Sequence, residues 1–169
     1  MPIHEIQTGT VVGHRYRIEK QLGRGPSGTV YICRDLVDAE GNVAVKVIHM
    51  KEAGEHQMAL LRQQFSVLSR LRHPNLARIL DYGTLGERNE PFLVEEYVKG
   101  EDLLEATGDW GSRQIIHLLV ELCRAVRFLH ARDVLHCNLK PGNVLLTSGN
   151  GGGAGIKLLD FGLTECLRG

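Results

Sequence analysis

The chain has 169 residues, 43% hydrophobic and 24% charged, a soluble globular balance with room for one modest domain or two small lobes sharing a cleft. Twenty Lys and Arg offset twenty Asp and Glu, so net charge gives no ground for nucleic-acid or membrane binding. No apolar stretch approaches the roughly 18 residues of a membrane span, and the opening "MPIHEIQTGT" lacks the basic and apolar regions of a signal peptide, so a cytoplasmic location is expected.

In chain order, "YRIEKQLG" (16–23) and "GTVYICRD" (28–35) alternate apolar and polar residues and meet at a glycine-rich turn, which predicts two strands. "NVAVKVIHM" (42–50) is a third β-branched run, entered through the turn signal Glu40-Gly41-Asn42. The period then changes. Met58, Leu61, Phe65, Leu68 and Leu71 recur every three or four residues and predict an amphipathic helix that stops at His73-Pro74. "LARILDYG" and "PFLVEEYV" read as two more strands.

The second half reads as mainly helical. Ser112 is the expected N-cap of a long helix with Ile115, Leu118, Leu119, Leu122, Val126 and Leu129 on its apolar face. "NVLLT" and "IKLLDFG" form a predicted hairpin, with the glycine-rich "SGNGGGAG" (148–155) as its loop. Cys33, Cys123, Cys137 and Cys166 are scattered without a C-x-x-C pair, which points to reduced thiols, and the eight histidines have no H-E-x-x-H spacing.

"LGRGPSGTV" sets Gly23, Gly25 and Gly28 in a G-x-G-x-x-G-x-V arrangement between two strands. A dinucleotide fold needs strand, glycine turn and helix in succession, so this placement disfavours one. A glycine hairpin instead lets main-chain N–H groups approach phosphate oxygens with no Cβ in the way.

With "VAVK" on the next strand, "HPNL" after the helix, "HCNLKPGN" after the long helix and "DFG" at the final hairpin, residues 14 to 167 resemble a protein kinase domain. The likeness is to the serine/threonine class, in the eukaryotic-like form also found in bacteria. It implies an α+β, protein-kinase-like fold. Residues 1–13 form an N-terminal extension, 14–95 a β-rich N-lobe with one helix, 96–102 a connector and 103–169 the first part of a helical C-lobe.

By the same resemblance the ligands are ATP and Mg²⁺. Gly23, Gly25 and Gly28 cover the phosphates, Lys46 holds the α and β phosphates, Lys140 lies against the γ-phosphate, and Asn143 and Asp160 ligate the metal. Leu22, Val30, Ala44 and Leu145 enclose adenine, and the backbone of Glu96 and Val98 hydrogen-bonds it. Leu68, Ile79, His136 and Phe161 fall where the family stacks an apolar column.

Three departures bear on function. The family's His-Arg-Asp is His136-Cys137-Asn138 here, and the amide of Asn138 accepts a hydrogen bond but takes no proton at neutral pH. The helix position that normally pairs with the strand lysine is Gln64, whereas Glu95, just before the connector, either faces Lys46 or turns to solvent. The chain ends seven residues after Asp160-Phe161-Gly162, without the rest of the activation segment. The expectation is therefore an ATP-binding pseudokinase, or a piece of one, completed by a protein partner or by downstream sequence. An active serine/threonine kinase in a longer chain and a nucleotide-free interaction module are the alternatives.

Overall fold

The computed structural model describes residues 6–38, 41–49, 55–86, 89–148 and 154–161. The expected turn residue Glu40, most of the loop at 149–153, Gly162 and Cys166 lie outside the described residues. The chain divides into two compact units, one of residues 1–70 and 78–97, the other of residues 71–77 and 98–169.

The first unit is built on a six-stranded antiparallel sheet: β1 (Val11–Val12), β2 (Tyr16–Gly25), β3 (Gly28–Asp35), β4 (Asn42–Ile48), β5 (Ile79–Leu85) and β6 (Glu90–Glu96), ordered β1-β2-β3-β4-β6-β5. Strands β2 and β3 are joined by the two residues Pro26-Ser27, with Gly25 opposite Gly28. Alternation sorts the central strands into two faces. Tyr31, Cys33, Val43, Val45, Val47, Phe92 and Val94 form one buried cluster with Val12, Tyr16 and Ile18. Burial pushes the Cys33 thiol up to about 12, so this cysteine is a packed hydrophobe and not a nucleophile. Arg15 clamps the end of β3 through two bonds, Nε to Asp35 Oδ1 at 2.8 Å and Nη2 to Asp35 Oδ2 at 2.7 Å, and holds that carboxyl at about 2.

Helix α1 (Glu55–Leu68) packs on β5, with Met58, Leu61 and Leu68 buried and the Phe65 ring 5.6 Å from that of Tyr82. The predicted stripe extended to Leu71, but the helix stops at Leu68 and Leu71 lies in the second unit. The predicted strand "LARILDYG" likewise begins later, at Ile79. Its first residues are held elsewhere: Ala77 N donates to Leu158 O at 3.0 Å, and Leu158 N donates to Asn75 O at 2.8 Å.

The second unit contains β7 (Glu101–Asp102), α2 (Leu103–Ala106), α3 (Ser112–His130), a 3-10 turn (Pro141–Asn143), β8 (Val144–Ser148) and β9 (Ala154–Leu158), with a sheet ordered β7-β8-β9. Asp102 caps α2 by accepting from Leu104 N at 2.9 Å. Ser112 does not cap α3. Gly111 is the cap residue, and its N–H donates to Gln114 Oε1 at 3.0 Å, so the side-chain bond comes from inside the first turn. Among the described residues no helix is long and apolar enough to cross a membrane.

Of the predicted face of α3, Leu118 and Leu129 are buried and Ile115, Leu122 and Val126 half-buried, and Leu119 departs from it. Leu118, Ala125 and Leu129 are buried, whereas Leu119 is 49% exposed, with Ile116 and Val120 exposed beside it. Helix α3 packs in part on β9, and Ile116, Leu119, Val120 and Cys123 recur at helical spacing on its exposed side. A contiguous apolar stripe of this kind favours association. The 169-residue chain is expected to self-associate, or to bind ANS, in sedimentation and fluorescence measurements. Ile116→Glu with Leu119→Lys is expected to suppress this several-fold while moving the melting temperature by less than about 2 °C. A monomeric, dye-silent wild type would show the stripe to be harmless.

Candidate functional site

The two units each carry part of the expected site. In the first, the register sets Val30 opposite Lys46, Ile32 opposite Ala44, Ala44 opposite Glu95 and Lys46 opposite Leu93. Val30, Ala44, Lys46, Leu93 and Glu95 therefore share the sheet face opposite the apolar cluster. Val30 and Ala44 are half-buried, while Leu22, after a register shift in β2, is exposed.

The three glycines differ in what they need. A Cβ on Gly28 would lie 2.5 Å from the Val47 carbonyl oxygen and 3.4 Å from Lys46 Cε, so glycine is required for the hairpin to lie against β4. A Cβ on Gly23 or Gly25 meets nothing within 4 Å among the described residues. Their absence of side chains serves access to the backbone and not packing. Beside this hairpin, His49 Nε2 and Thr29 Oγ1 lie 2.9 Å apart, and His49 N donates to Ser27 O at 3.1 Å.

At the end of β6, Glu96 N donates to Arg78 O at 2.8 Å, and Glu96 Oε2 accepts from Arg78 N at 3.1 Å. The N–H of Glu96 is thus committed to Arg78. Val98 is half-buried and begins the second unit's part of the connector.

In the second unit the catalytic-loop positions and Asp160 come together. Asn138 Nδ2 donates to Asp160 Oδ2 at 2.9 Å, and Asn143 Nδ2 donates to Asn138 O at 2.7 Å. Asn143 is buried; its backbone N–H donates to Lys140 O at 3.0 Å and its carbonyl accepts from Leu159 N at 2.8 Å. One asparagine therefore ties the loop to the segment carrying Asp160. Lys140 is exposed, and Leu145, opposite Lys157 across the β8–β9 pair, is half-buried.

His136 is buried, and its Nδ1 accepts from Asn138 N at 3.2 Å. Burial holds its imidazole below the ordinary histidine range, so it is a neutral structural group. Its ring lies 6.4 Å from that of Phe161, which is also buried, while Leu68 and Ile79 are buried in the first unit. Cys137 and Asp160 both have φ of 58°, a left-handed conformation that costs non-glycine residues of order 1–3 kcal/mol. One of these residues, Asp160, is itself in the hydrogen-bond network, and the other, Cys137, precedes Asn138.

A family model described as "Protein kinase domain" matches residues 16–169. The chain belongs to the protein kinase family. This kinase-family chain is 36% identical over 170 residues to CBL-interacting protein kinase 20 of Oryza sativa subsp. japonica, covering 94% of the chain and 35% of that relative. It is 30% identical over 166 residues to the probable serine/threonine-protein kinase PknB of Lactococcus lactis, covering 96% of the chain and 26% of that protein. The crystal structure of the Mycobacterium tuberculosis PknI kinase domain superposes with a TM-score of 0.77 at 24% identity, covering 94% of this chain and 64% of that one. The chain is thus a serine/threonine kinase-like domain with the kinase fold, spanning about a third or less of the length of these curated relatives.

Two features escaped sequence reasoning. Asn75 donates from Nδ2 to Ile156 O at 3.2 Å and pins residues 71–77 to β9; an asparagine directly after His-Pro was its available signal. The bond from Asn138 to Asp160 was hidden because the substitution reads as a loss, although an amide beside a carboxylate is also a gain of a donor.

An aspartate at 138 would set two carboxylates within hydrogen-bond distance, which a cation must then compensate. Asn138→Asp is expected to lower the melting temperature in EDTA by roughly 3–8 °C and to recover on Mg²⁺ addition. An Asn138→Asp chain that melts like wild type in EDTA and ignores Mg²⁺ would contradict this geometry.

Proposed function

We propose that this chain is an ATP-binding serine/threonine kinase-like domain whose phosphotransfer is impaired. The observation that carries this reading is the bond from Asn138 Nδ2 to Asp160 Oδ2. A carboxylate only accepts, so the NH₂ end of Asn138 must face Asp160 and its oxygen faces away. That oxygen orients a substrate hydroxyl but takes no proton, and loss of a general base typically costs roughly 10²–10⁴ in rate.

Nucleotide binding is supported by the residues that remain. Gly23 and Gly25 offer unobstructed backbone to phosphates, Lys46 and Lys140 supply cations for them, and Val30, Ala44 and Leu145 supply apolar contacts for adenine. The oxygen donors of Asp160 and Asn143 suit a hard cation such as Mg²⁺. Asn143 Nδ2 is spent on Asn138 O, which leaves Oδ1 as its ligating atom. When bound, Mg²⁺ neutralises charge on the phosphates. Lys140 is exposed, which leaves its ammonium available to a phosphate, and the Asn138 amide holds Asp160 by its hydrogen bond. The protein side of the reaction, the partner or downstream helices that present a substrate, belongs to the same proposal.

Saturating Mg-ATP at about 100 times its dissociation constant is expected to raise the melting temperature by roughly 5–10 °C, and EDTA is expected to abolish the shift. Almost no phosphotransfer is expected from the wild-type chain. Asn138→Asp, in a chain extended through the region its relatives possess, is expected to gain at least roughly tenfold in transfer. Absence of any shift from a folded chain would leave the interaction module, and robust wild-type transfer would restore the active kinase.

A further inference from the structure

We infer that Glu95 is the counter-charge of Lys46, so that the lysine is held from within the sheet and not from helix α1. The inference rests on the reading of Lys46 as a phosphate ligand for its functional consequence, but the pair itself follows from the sheet.

Lys46 is 7% exposed and Glu95 is 9% exposed. Each isolated charge at that burial is strongly unfavourable, and neither side chain is without an interaction. The register places Lys46 opposite Leu93 and Glu95 opposite Ala44, so the two charged residues are diagonal neighbours on one face of adjacent antiparallel strands. Diagonal positions are roughly 7–8 Å apart, a gap that a lysine and a glutamate span. The other face is the cluster of Val43, Val45, Val47, Phe92 and Val94, which closes that side to either charge. The burial of Glu95 also removes the alternative in which it turns to solvent.

Several other acids of the unit are engaged elsewhere. Asp35 is held by Arg15, Asp81 accepts from Tyr16, Glu19 pairs with Arg34 and Glu96 with Arg78. Helix α1 offers only Gln64 at the position from which the family supplies its carboxylate. The Gln64 Oε1 atom is buried and accepts no hydrogen bond among the described residues, so it is not bonded to Lys46. A neutral amide supplies no counter-charge, whereas the carboxylate two residues along β6 does.

The consequence is a change in what positions the lysine. In relatives with a helix carboxylate, moving the helix breaks the pair and displaces the lysine. With Glu95 on the strand hydrogen-bonded to β4, Lys46 keeps its place whatever α1 does. Glu95 is thus a positioning residue that uncouples nucleotide binding from helix movement.

The test is a double-mutant cycle on the 169-residue chain, read by urea unfolding without nucleotide. Lys46→Met and Glu95→Gln are each expected to lower the midpoint by roughly 1–2 M, and the double variant to be no less stable than either single one. Gln64→Glu is expected to restore at least half of the loss in Glu95→Gln, because it returns the charge to the helix. If Glu95→Gln does not fold, Lys46→Met/Glu95→Gln and Gln64→Glu/Glu95→Gln are expected to fold again, and failure of both overturns the pair. Additive single effects, or a neutral Glu95→Gln, overturn it as well. In a separate arm, Mg-ATP affinity is expected to fall at least roughly tenfold in Glu95→Gln and to return with Gln64→Glu. Lack of ATP binding by the wild type sinks the nucleotide reading and leaves the urea cycle to decide the pair.

Discussion

The alternation of β4 is the constraint on which the first unit depends. Val43, Val45 and Val47 point one way into the core, so Ala44 and Lys46 must point the other. A slip of one residue would bury the ammonium in the apolar cluster and turn valines onto the opposite face. Pairing with β3 and β6 on both sides fixes this register over most of the strand. The same contacts that build the core therefore bring Val30, Ala44, Lys46 and Glu95 onto one surface. Gly28 completes the arrangement, because only a residue without a Cβ fits against the Val47 carbonyl.

The second unit solves a different problem with hydrogen bonds instead of burial. Asn138, Asn143 and Asp160 are joined through side-chain and main-chain bonds of 2.7 and 2.9 Å, and Asp160 and the neighbouring Cys137 are left-handed. Replacing an acid by an amide removes a proton acceptor and also removes a repulsion, so the loop holds Asp160 in place without a cation. Gln64, Glu95 and Asn138 form a consistent set: the helix and the loop each lack the family's carboxylate, and one carboxylate stands on the strand. The proposed result is a site in which the charges that hold phosphate are kept while the group that accepts a proton is not.

Much of this was legible in the sequence where local pattern and tertiary demand agree. Strands β2 and β3 follow their period-two runs, β4 its β-branched run and β6 the segment read as a strand, and α1 follows its spacing as far as Leu68. The misses fall where a long-range partner takes over. Leu76 and Ala77 look like strand residues but bond to β9, about eighty residues away in sequence. Ser112 looks like a cap, yet Gln114 reaches back to Gly111 and leaves Ser112 inside the helix. On α3 only Leu119 departs from the predicted face, because apolar residues occur around much of the circumference and packing leaves Leu119 uncovered. For the site, motif order proposes residues but carries no information on their bonds. The donor role of Asn138 and the shared face of Lys46 and Glu95 emerge only when register and side-chain contacts are known.

The central claim, that the chain holds nucleotide but scarcely transfers phosphate, is tested most directly by ³¹P NMR of Mg-ATP mixed with an equimolar amount of the chain. The account predicts broadening or displacement of the β and γ resonances that EDTA reverses. It also predicts no growth of ADP, inorganic phosphate or phosphoprotein signals over hours beyond a protein-free control. Unchanged ATP resonances, or turnover approaching the roughly 1–100 s⁻¹ of active kinases, would contradict it.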